Sequence, residues 1–208
     1  MKMQTQKNFR TLVLASQSPR RKELLEKAGF EFRTFSVKVS EFLDKNLTLD
    51  EAIRQIARQK ATACQEQIKS LNLQNILILS SDTVVVIDNE VLGKPQDQGQ
   101  AFEFLRRLSG QTHEVKTSVC FIDELTEKMI LDIESAWVTF RELSDQEIKS
   151  YVASGEPMDK AGAYGIQGVG GKFISKLNGN LDTVMGLPVK LVEKIMTENG
   201  WMDGIKKS

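Results

Sequence analysis

The stretch Leu14–Phe30, "LASQSPRRKELLEKAGF", joins a short apolar segment to an amphipathic one and indicates the class of fold. Residues 10–15 predict a buried strand. Ser18 and Pro19 suit the N-cap and the first position of a helix. Gly29 suits the residue just past the end of that helix. Because a strand that leads directly into a helix is typical of α/β proteins, we expect a sheet with flanking helices.

Strands and helices alternate along the rest of the sequence, and long strands occupy its middle. Residues 75–94, "NILILSSDTVVVIDNEVLGK", predict a strand, a polar break, a second strand and a hairpin turn at Asp88–Asn89. Residues 113–140 predict two long strands, either as antiparallel extensions of the sheet or as a second lobe. Residues 159–188 are rich in glycine and show little helical periodicity. Further helices are predicted from Thr48 to about Leu71, from Asp97 to Gly110, from Ser144 to Gly155 and from Pro188 to about Asn199.

The composition narrows the class of partner. The 208 residues carry 28 Lys and Arg against 28 Asp and Glu, so no net charge attracts a nucleic acid or a membrane surface. No apolar run approaches the roughly 20 residues that span a bilayer. The two cysteines, Cys64 and Cys120, are too few for a disulfide framework and indicate buried thiols in a reducing cytoplasm.

A single histidine, His113, limits the available chemistry. Zinc sites built on paired histidines are excluded, and an isolated imidazole at the start of a strand is more often structural than catalytic. If the protein is an enzyme, its carboxylates, its lysines and a hard metal ion must carry the reaction.

The turn that opens the first helix is unusually basic. Arg20, Arg21 and Lys22 lie at the end of the helix where its N–H groups already carry partial positive charge. Together with the hydroxyls of Ser16 and Ser18, this turn has the composition of a phosphate site. A solvated basic face is the alternative interpretation of the same residues.

Three further motifs carry polar groups in unusual settings. Asp82 interrupts two apolar runs and suits either a carboxylate paired with a cation or an ordinary polar turn. Lys94 lies between Gly93 and Pro95, and by itself this is most simply a surface lysine in a turn. Gln167 lies in a glycine-rich stretch, which suits either close approach to a ligand or an irregular bend.

In order along the chain, "LASQSPRRKELL", "SSDTVV", "LGKP", "LSGQTHEVKT" and "EPMDKAGAYGIQG" resemble the Maf family of nucleotide pyrophosphatases, from about residue 12 to 191. The "SDT" and "AGAYGIQG" segments resemble the branch that acts on dTTP and UTP. The resemblance implies a mixed, twisted α/β sheet with flanking helices, in two lobes around a deep cleft, as in the inosine triphosphatases. It also implies one domain over residues 1–208, with an extension at 1–9 and a tail at 200–208.

The resemblance further implies a reaction and a set of site residues. A nucleoside triphosphate (dTTP or UTP, with CTP and modified pyrimidine nucleotides as further candidates) is cut to the monophosphate and pyrophosphate, with Mg²⁺ or Mn²⁺. Asp82 is the implied catalytic residue, and Asp82 and Glu41 are the implied metal ligands. The implied substrate-binding residues are Ser16, Arg20, Arg21, Lys60, Thr83, Lys94 and Gln167, of which Arg20, Thr83 and Gln167 select the substrate.

The same resemblance implies a homodimer. The cysteine content predicts a cytoplasmic protein, and the balanced charge predicts no nucleic-acid or membrane partner. The alternative function is a nucleotide-binding regulator of septum formation that does not turn its ligand over. Asp82 and Glu41 distinguish the two hypotheses, because a protein that only binds a nucleotide has no use for carboxylates that face phosphates.

Overall fold

The computed structural model of the protein describes residues 9–71 and 73–205. The predicted extension at 1–9 and the tail at 200–208 therefore fall partly outside the described residues. The strands are β1 (Thr11–Ala15), β2 (Phe32–Phe35), β3 (Ile76–Ile87), β4 (Glu90–Leu92), β5 (Thr112–Asp123), β6 (Lys128–Phe140) and β7 (Ile174–Asn178). The α-helices are α1 (Pro19–Lys27), α2 (Leu49–Ile68), α3 (Gln98–Leu108), α4 (Asp145–Ala153), α5 (Leu181–Met185) and α6 (Val189–Glu198).

These strands form one mixed sheet of seven strands. Its order is β2-β1-β3-β5-β6-β7, and β4 pairs with β3. β1 runs parallel to both β2 and β3, while the β3–β4 and β6–β7 pairs are antiparallel. The prediction of a mixed α/β sheet with flanking helices is confirmed.

The described chain divides into two compact units. The first unit contains the described residues up to 82 together with 118–132 and 189–205, and the second unit contains 83–117 and 133–188. The single domain over 1–208 and the deep cleft stay predictions. No helix within the described residues has both the length and the apolar character that crossing a membrane requires.

The core of the first unit is built around α2. A complete capping box at Thr48 and Glu51 starts this helix, as predicted. Its buried face packs among aliphatic residues of β1, β3 and β5, and it includes Cys64, which shares this core with Cys120 of β5. Both thiols are fully buried, and burial raises their pKa, to about 11 for Cys64 and about 12 for Cys120. The prediction of buried thiols is confirmed.

The core of the second unit is rich in aromatic rings. Phe140 packs edge-on against both Tyr164 and Phe173, and Tyr151 packs edge-on against Phe173. His113 lies in this core, and its Nε2 is 2.8 Å from the hydroxyl of Tyr164. Because burial lowers its pKa to about 4, the ring is neutral near pH 7. This burial agrees with the structural role favoured for His113.

The predicted polar break within residues 75–94 is wrong. β3 runs without interruption from Ile76 to Ile87, and Ser80, Ser81 and Asp82 are buried inside it. The strand continues because Ser80 and Asp82 find partners on α2, so neither polar side chain needs water. The predicted hairpin turn is correct: Asp88 and Asn89 have φ angles of 51° and 61° and connect β3 to β4.

Candidate active site

Three side chains from distant parts of the sequence meet in the first unit. Lys60 Nζ donates to Asp82 Oδ1 at 2.6 Å and to Glu41 Oε1 at 2.8 Å. Lys60 and Asp82 are only 8% and 6% exposed, whereas Glu41 is exposed. Burying charged groups is costly unless they are well paired, and here one ammonium serves two carboxylates. We call Glu41, Lys60 and Asp82 the acid–lysine cluster.

Two buried serines fix the helix that carries Lys60. Ser80 Oγ donates to the backbone oxygen of Ala57 at 2.6 Å, and Ser118 Oγ donates to that of Ile53 at 3.0 Å. Both acceptors belong to α2, and both donors belong to strands of the sheet. These bonds restrain both sliding and rotation of α2, so Lys60 is held opposite Asp82.

The basic turn opens α1 as predicted, and Ser16 organises it. Ser18 takes the N-cap position and Pro19 is the first helical residue. Ser16 Oγ accepts from the Ser18 N–H at 3.2 Å and from Arg21 Nη1 at 3.3 Å. The first turn of α1, which is described throughout, contains no acidic side chain. Its N–H groups and guanidiniums therefore favour an anionic ligand.

Electrostatics connect the basic turn to the acid–lysine cluster. Burial lowers the pKa of the Arg21 guanidinium, and the positive charge of Arg20 lowers it further. The negative charges of Asp82 and Glu41 raise the same pKa and so offset part of this effect. Arginine stays charged in proteins. Arg21 therefore lies within electrostatic reach of two anionic groups and one cationic group.

The donor chemistry of the cluster fits a hard divalent cation. Asp82 and Glu41 direct carboxylate oxygens at the same ammonium, and Mg²⁺ and Mn²⁺ prefer oxygen ligands. Among the described residues, no group of three or more Asp, Glu, His or Cys side chains is placed to hold a metal. Mg²⁺ is commonly bound through one or two carboxylates, with phosphates and water as its other ligands. Two carboxylates match the number of protein ligands that such an ion commonly has.

In the second unit, Thr83 is held by a short chain of hydroxyls. Thr117 Oγ1 donates to the backbone oxygen of Thr183 at 2.7 Å and lies 3.0 Å from Thr83 Oγ1. Because the single hydroxyl proton of Thr117 is directed at Thr183, the Thr83 hydroxyl must donate to Thr117. This chain fixes the direction of the Thr83 side chain.

Lys94 lies next to a contact between two of the sequence motifs. The Gly162 N–H donates to the backbone oxygen of Gly93 at 3.1 Å. Gly162 has a φ of +68°, and a Cβ there would lie 2.9 Å from Val85, so only glycine fits this position. Within the second unit, the segments that carry Thr83, Lys94 and Gln167 are therefore connected. Lys94 itself is exposed.

Gln167 is exposed on a loop that two other side chains hold in place. Glu156 accepts hydrogen bonds from the backbone of this loop, and so does the hydroxyl of Tyr151. Sequence reasoning singled out neither residue. One signal for Glu156 was available in the sequence. It lies between Gly155 and Pro157, two residue types that are typical of a turn.

The sequence-predicted residues thus fall into two groups. The first unit brings together Ser16, Arg20, Arg21, Glu41, Lys60 and Asp82. The second unit contains Thr83, Lys94 and Gln167.

Comparisons with known proteins agree with the motif order. The family model described as "Maf-like protein" matches residues 11–199. A dTTP/UTP pyrophosphatase of Bdellovibrio bacteriovorus is 47% identical over 187 residues, which make up 90% of this chain and 97% of that protein. A dTTP/UTP pyrophosphatase of Caldicellulosiruptor bescii is 36% identical over 193 residues, 93% of this chain and 96% of that protein.

A solved structure is similar at a much lower level. It is a nucleoside-triphosphatase, or dITP/XTP pyrophosphatase, of Mycobacterium abscessus, and the match covers 92% of this chain and 95% of that one. With 12% identity and a TM-score of 0.41, this likeness is too low to support an argument about this chain.

Proposed function

The chain belongs to the Maf family, and we propose that it is a nucleoside triphosphate pyrophosphatase that hydrolyses dTTP and UTP to the monophosphate and pyrophosphate. One observation carries this proposal beyond the names of its relatives. A buried carboxylate, Asp82, lies 2.6 Å from a buried ammonium and within electrostatic reach of a guanidinium at a helix N-terminus. A triphosphate and a hard cation need these groups together.

The cations of the first unit would bind the phosphates. Phosphoryl transfer depends mainly on positioning and on neutralising charge. Arg20 and Arg21 present planar forks that match phosphate oxygens, while Lys60 contributes a compact charge and Ser16 orients the Arg21 fork. Lys94 would contribute a further positive charge to the phosphates.

Asp82 would act as the general base. In hydrolysis, the water oxygen bonds to the α-phosphorus, the bond from that phosphorus to the bridging oxygen breaks, and its electron pair leaves with pyrophosphate. The proton of the water passes to Asp82, whose fixed position on β3 suits such a transfer. Asp82 and Glu41 would hold Mg²⁺ or Mn²⁺. The ion, when bound, lowers the pKa of a coordinated water and neutralises phosphate charge.

Thr83 and Gln167 would select the base. The amide of Gln167 offers both a donor and an acceptor, which is what a pyrimidine edge needs. A base with the wrong edge would leave these groups unpaired, which disfavours it. Arg20 is the third residue assigned to substrate selection.

A panel of nucleotides tests the proposal. Pyrophosphate release is measured for dTTP, UTP, CTP, dATP and GTP with Mg²⁺ or Mn²⁺, and we expect turnover of dTTP and UTP. In water enriched in ¹⁸O, attack at the α-phosphorus places the label in the monophosphate. No release from any triphosphate would reject the enzyme and favour the regulator that binds nucleotide without turnover. Label found in pyrophosphate would reject attack at the α-phosphorus.

Location and assembly belong to the same proposal. The two buried thiols, with pKa values of about 11 and about 12, are compatible with a protein of the reducing cytoplasm. A homodimer stays a prediction from the family, and light scattering after size-exclusion chromatography measures it directly.

A further inference from the structure

The loop that carries Gln167 is held by one carboxylate. Glu156 Oε2 accepts from the Val169 N–H at 3.1 Å, and Glu156 Oε1 is 3.4 Å from the Gly170 nitrogen, which donates to it. These two N–H groups come directly after the segment that contains Gln167. The carboxylate therefore fixes the backbone on the C-terminal side of Gln167.

Tyr151 holds the other side of the same loop. Its hydroxyl donates to Glu156 Oε1 at 2.9 Å and accepts from the Gly165 N–H at 3.2 Å. Tyr151 is buried, and burial raises its pKa, so its hydroxyl keeps the proton that it donates. Glu156 and Tyr151 together form one network that contacts the backbone both before and after Gln167.

The glycines of the loop allow it to wrap tightly around this network. A Cβ at Gly168 would collide with the Glu156 carboxylate, and a Cβ at Gly170 would lie 2.6 Å from the Tyr151 hydroxyl. A merely flexible loop would not need to bring its backbone so close to a carboxylate. The close approach of Glu156 therefore explains the glycine at position 168, and that of Tyr151 explains the glycine at position 170.

Glu156 is itself held in place. Pro157 follows it, the Glu156 N–H donates to Ser154 Oγ at 3.2 Å, and Lys160 Nζ donates to the Glu156 backbone oxygen at 2.6 Å. The residue opens the short 3₁₀ turn Glu156–Asp159, which begins three residues after the last residue of α4. The network thus connects a rigid helix end to the loop of Gln167.

We infer that Glu156, assisted by Tyr151, is a positioning residue that sets the base preference of this protein by fixing the loop that presents Gln167. The inference rests on the proposed function, because it takes Gln167 to be the residue that reads the base. In this inference Glu156 acts through Gln167 and is not itself a ligand-binding residue.

Glu156→Gln is the sharpest variant. It keeps the size of the side chain but replaces one acceptor oxygen with a donor, which then faces a backbone N–H or the Tyr151 hydroxyl. Glu103→Gln, at an exposed position of α3, is the matched control. The readout is calorimetric binding of the non-hydrolysable α,β-methylene analogues of UTP and GTP, so it does not depend on turnover. We expect the preference for the UTP analogue to fall about 10-fold in Glu156→Gln and to stay unchanged in Glu103→Gln.

A double-mutant cycle with Gln167→Ala separates positioning from general damage to the fold. If Glu156 acts through Gln167, then Glu156→Gln changes the preference less than about 2-fold once Gln167 is gone. Tyr151→Phe, which removes the hydroxyl alone, should reduce the preference in the same direction, and it replaces Glu156→Gln if that variant does not fold.

Three results would overturn the inference: an unchanged preference in both folded variants, a full effect that persists in the Gln167→Ala background, or a wild-type protein that binds neither analogue. Failure of the proposed function is a different result, namely analogue binding by the wild type without release of pyrophosphate from UTP.

Discussion

A carboxylate is central to each unit, and the two are used in opposite ways. In the first unit, Asp82 accepts from the ammonium of Lys60, a residue 22 positions away that also binds Glu41. In the second unit, Glu156 accepts from backbone N–H groups and a phenol, all within 14 positions. The ammonium of Lys60 can exchange one anionic partner for another. The carboxylate oxygens of Glu156, in contrast, already accept hydrogen bonds from the backbone and from a tyrosine of the same fold. The arrangement around Asp82 therefore suits binding and reaction of an anionic ligand, and the arrangement around Glu156 suits holding a loop in place.

Replacing Asp82 with Asn gives the strongest test of the chemical half of this comparison. The amide keeps the shape of the side chain but cannot take a proton from water, so we expect turnover of dTTP to fall about 10²- to 10⁴-fold. Pyrophosphate release measures the loss, and circular dichroism verifies that the fold is kept. Asp88→Asn, in an exposed turn with positive φ, is the control and should keep full activity. Turnover within a few-fold of wild type in Asp82→Asn would remove Asp82 from the chemistry.

Replacing Lys60 with Met breaks the ion cluster from its cationic side. The buried Asp82 then loses its ammonium, so we expect the free energy of unfolding to fall by about 3 kcal/mol. Urea denaturation measures this change. Lys69→Met is the control because its ion pair with Glu66 is exposed at the surface, and it should cost less than about 0.5 kcal/mol. Equal losses of unfolding free energy in the two variants would mean that burial of the acid–lysine cluster adds nothing to the stability of the fold.

Lowering the pH tests the stability of the second unit, because its core contains the buried His113. In the unfolded chain this imidazole takes up a proton near pH 6.5, but in the folded protein only near pH 4. Its neutral state therefore stabilises the fold fully above pH 6.5, and this contribution falls as the pH drops from 6.5 to 4, by about 1–3 kcal/mol. We expect the unfolding free energy of wild type to decrease more between pH 7.5 and pH 4.5 than that of His113→Phe. Parallel pH dependences of the two proteins would contradict this.

The smallest effect concerns Glu147, an acidic residue of the second unit that caps a helix. The hydrogen bond from Arg141, together with bonds from the backbone and hydroxyl of Ser144, lowers the pKa of its carboxyl to about 2. Its contribution to stability is therefore present above about pH 4.5 and is lost as the pH falls towards 2. Glu147→Gln should lower the melting temperature slightly at pH 6, with no difference left near pH 2. Thermal scans of Glu103→Gln, the exposed control on α3, should match wild type at both pH values.

Local signals in the sequence predicted most of the elements. Capping boxes at Thr48 and Ser144 and the turn at Asp88–Asn89 depend on neighbouring residues, and each lies where it was predicted. The polar break at Asp82 was wrong because a strand accepts a buried carboxylate when a distant lysine pairs with it. That pairing connects residues which no local pattern relates.

The glycine-rich segment was predictable only in part. β7, α5 and the 3₁₀ turns between residues 156 and 173 were not predicted, since short elements with many glycines show no apolar period. Glu156 escaped notice for a related reason: its partners are mostly backbone N–H groups, which every residue except proline has. In contrast, Lys60 stands on the apolar face of α2, four residues after Ile56 and four before Cys64, and that spacing alone marks it as a buried lysine.

The burial of both cysteines makes the protein suitable for labelling at a single introduced thiol. With pKa values of about 11 and about 12 and no exposed surface, Cys64 and Cys120 present almost no thiolate at neutral pH. The thiolate is the nucleophile that attacks peroxide and maleimide reagents, so the native chain should resist both oxidation and alkylation. A cysteine introduced on the Gln167 loop would then be the single reactive thiol among the described residues, and a fluorophore attached there would report loop movement without removal of the native cysteines.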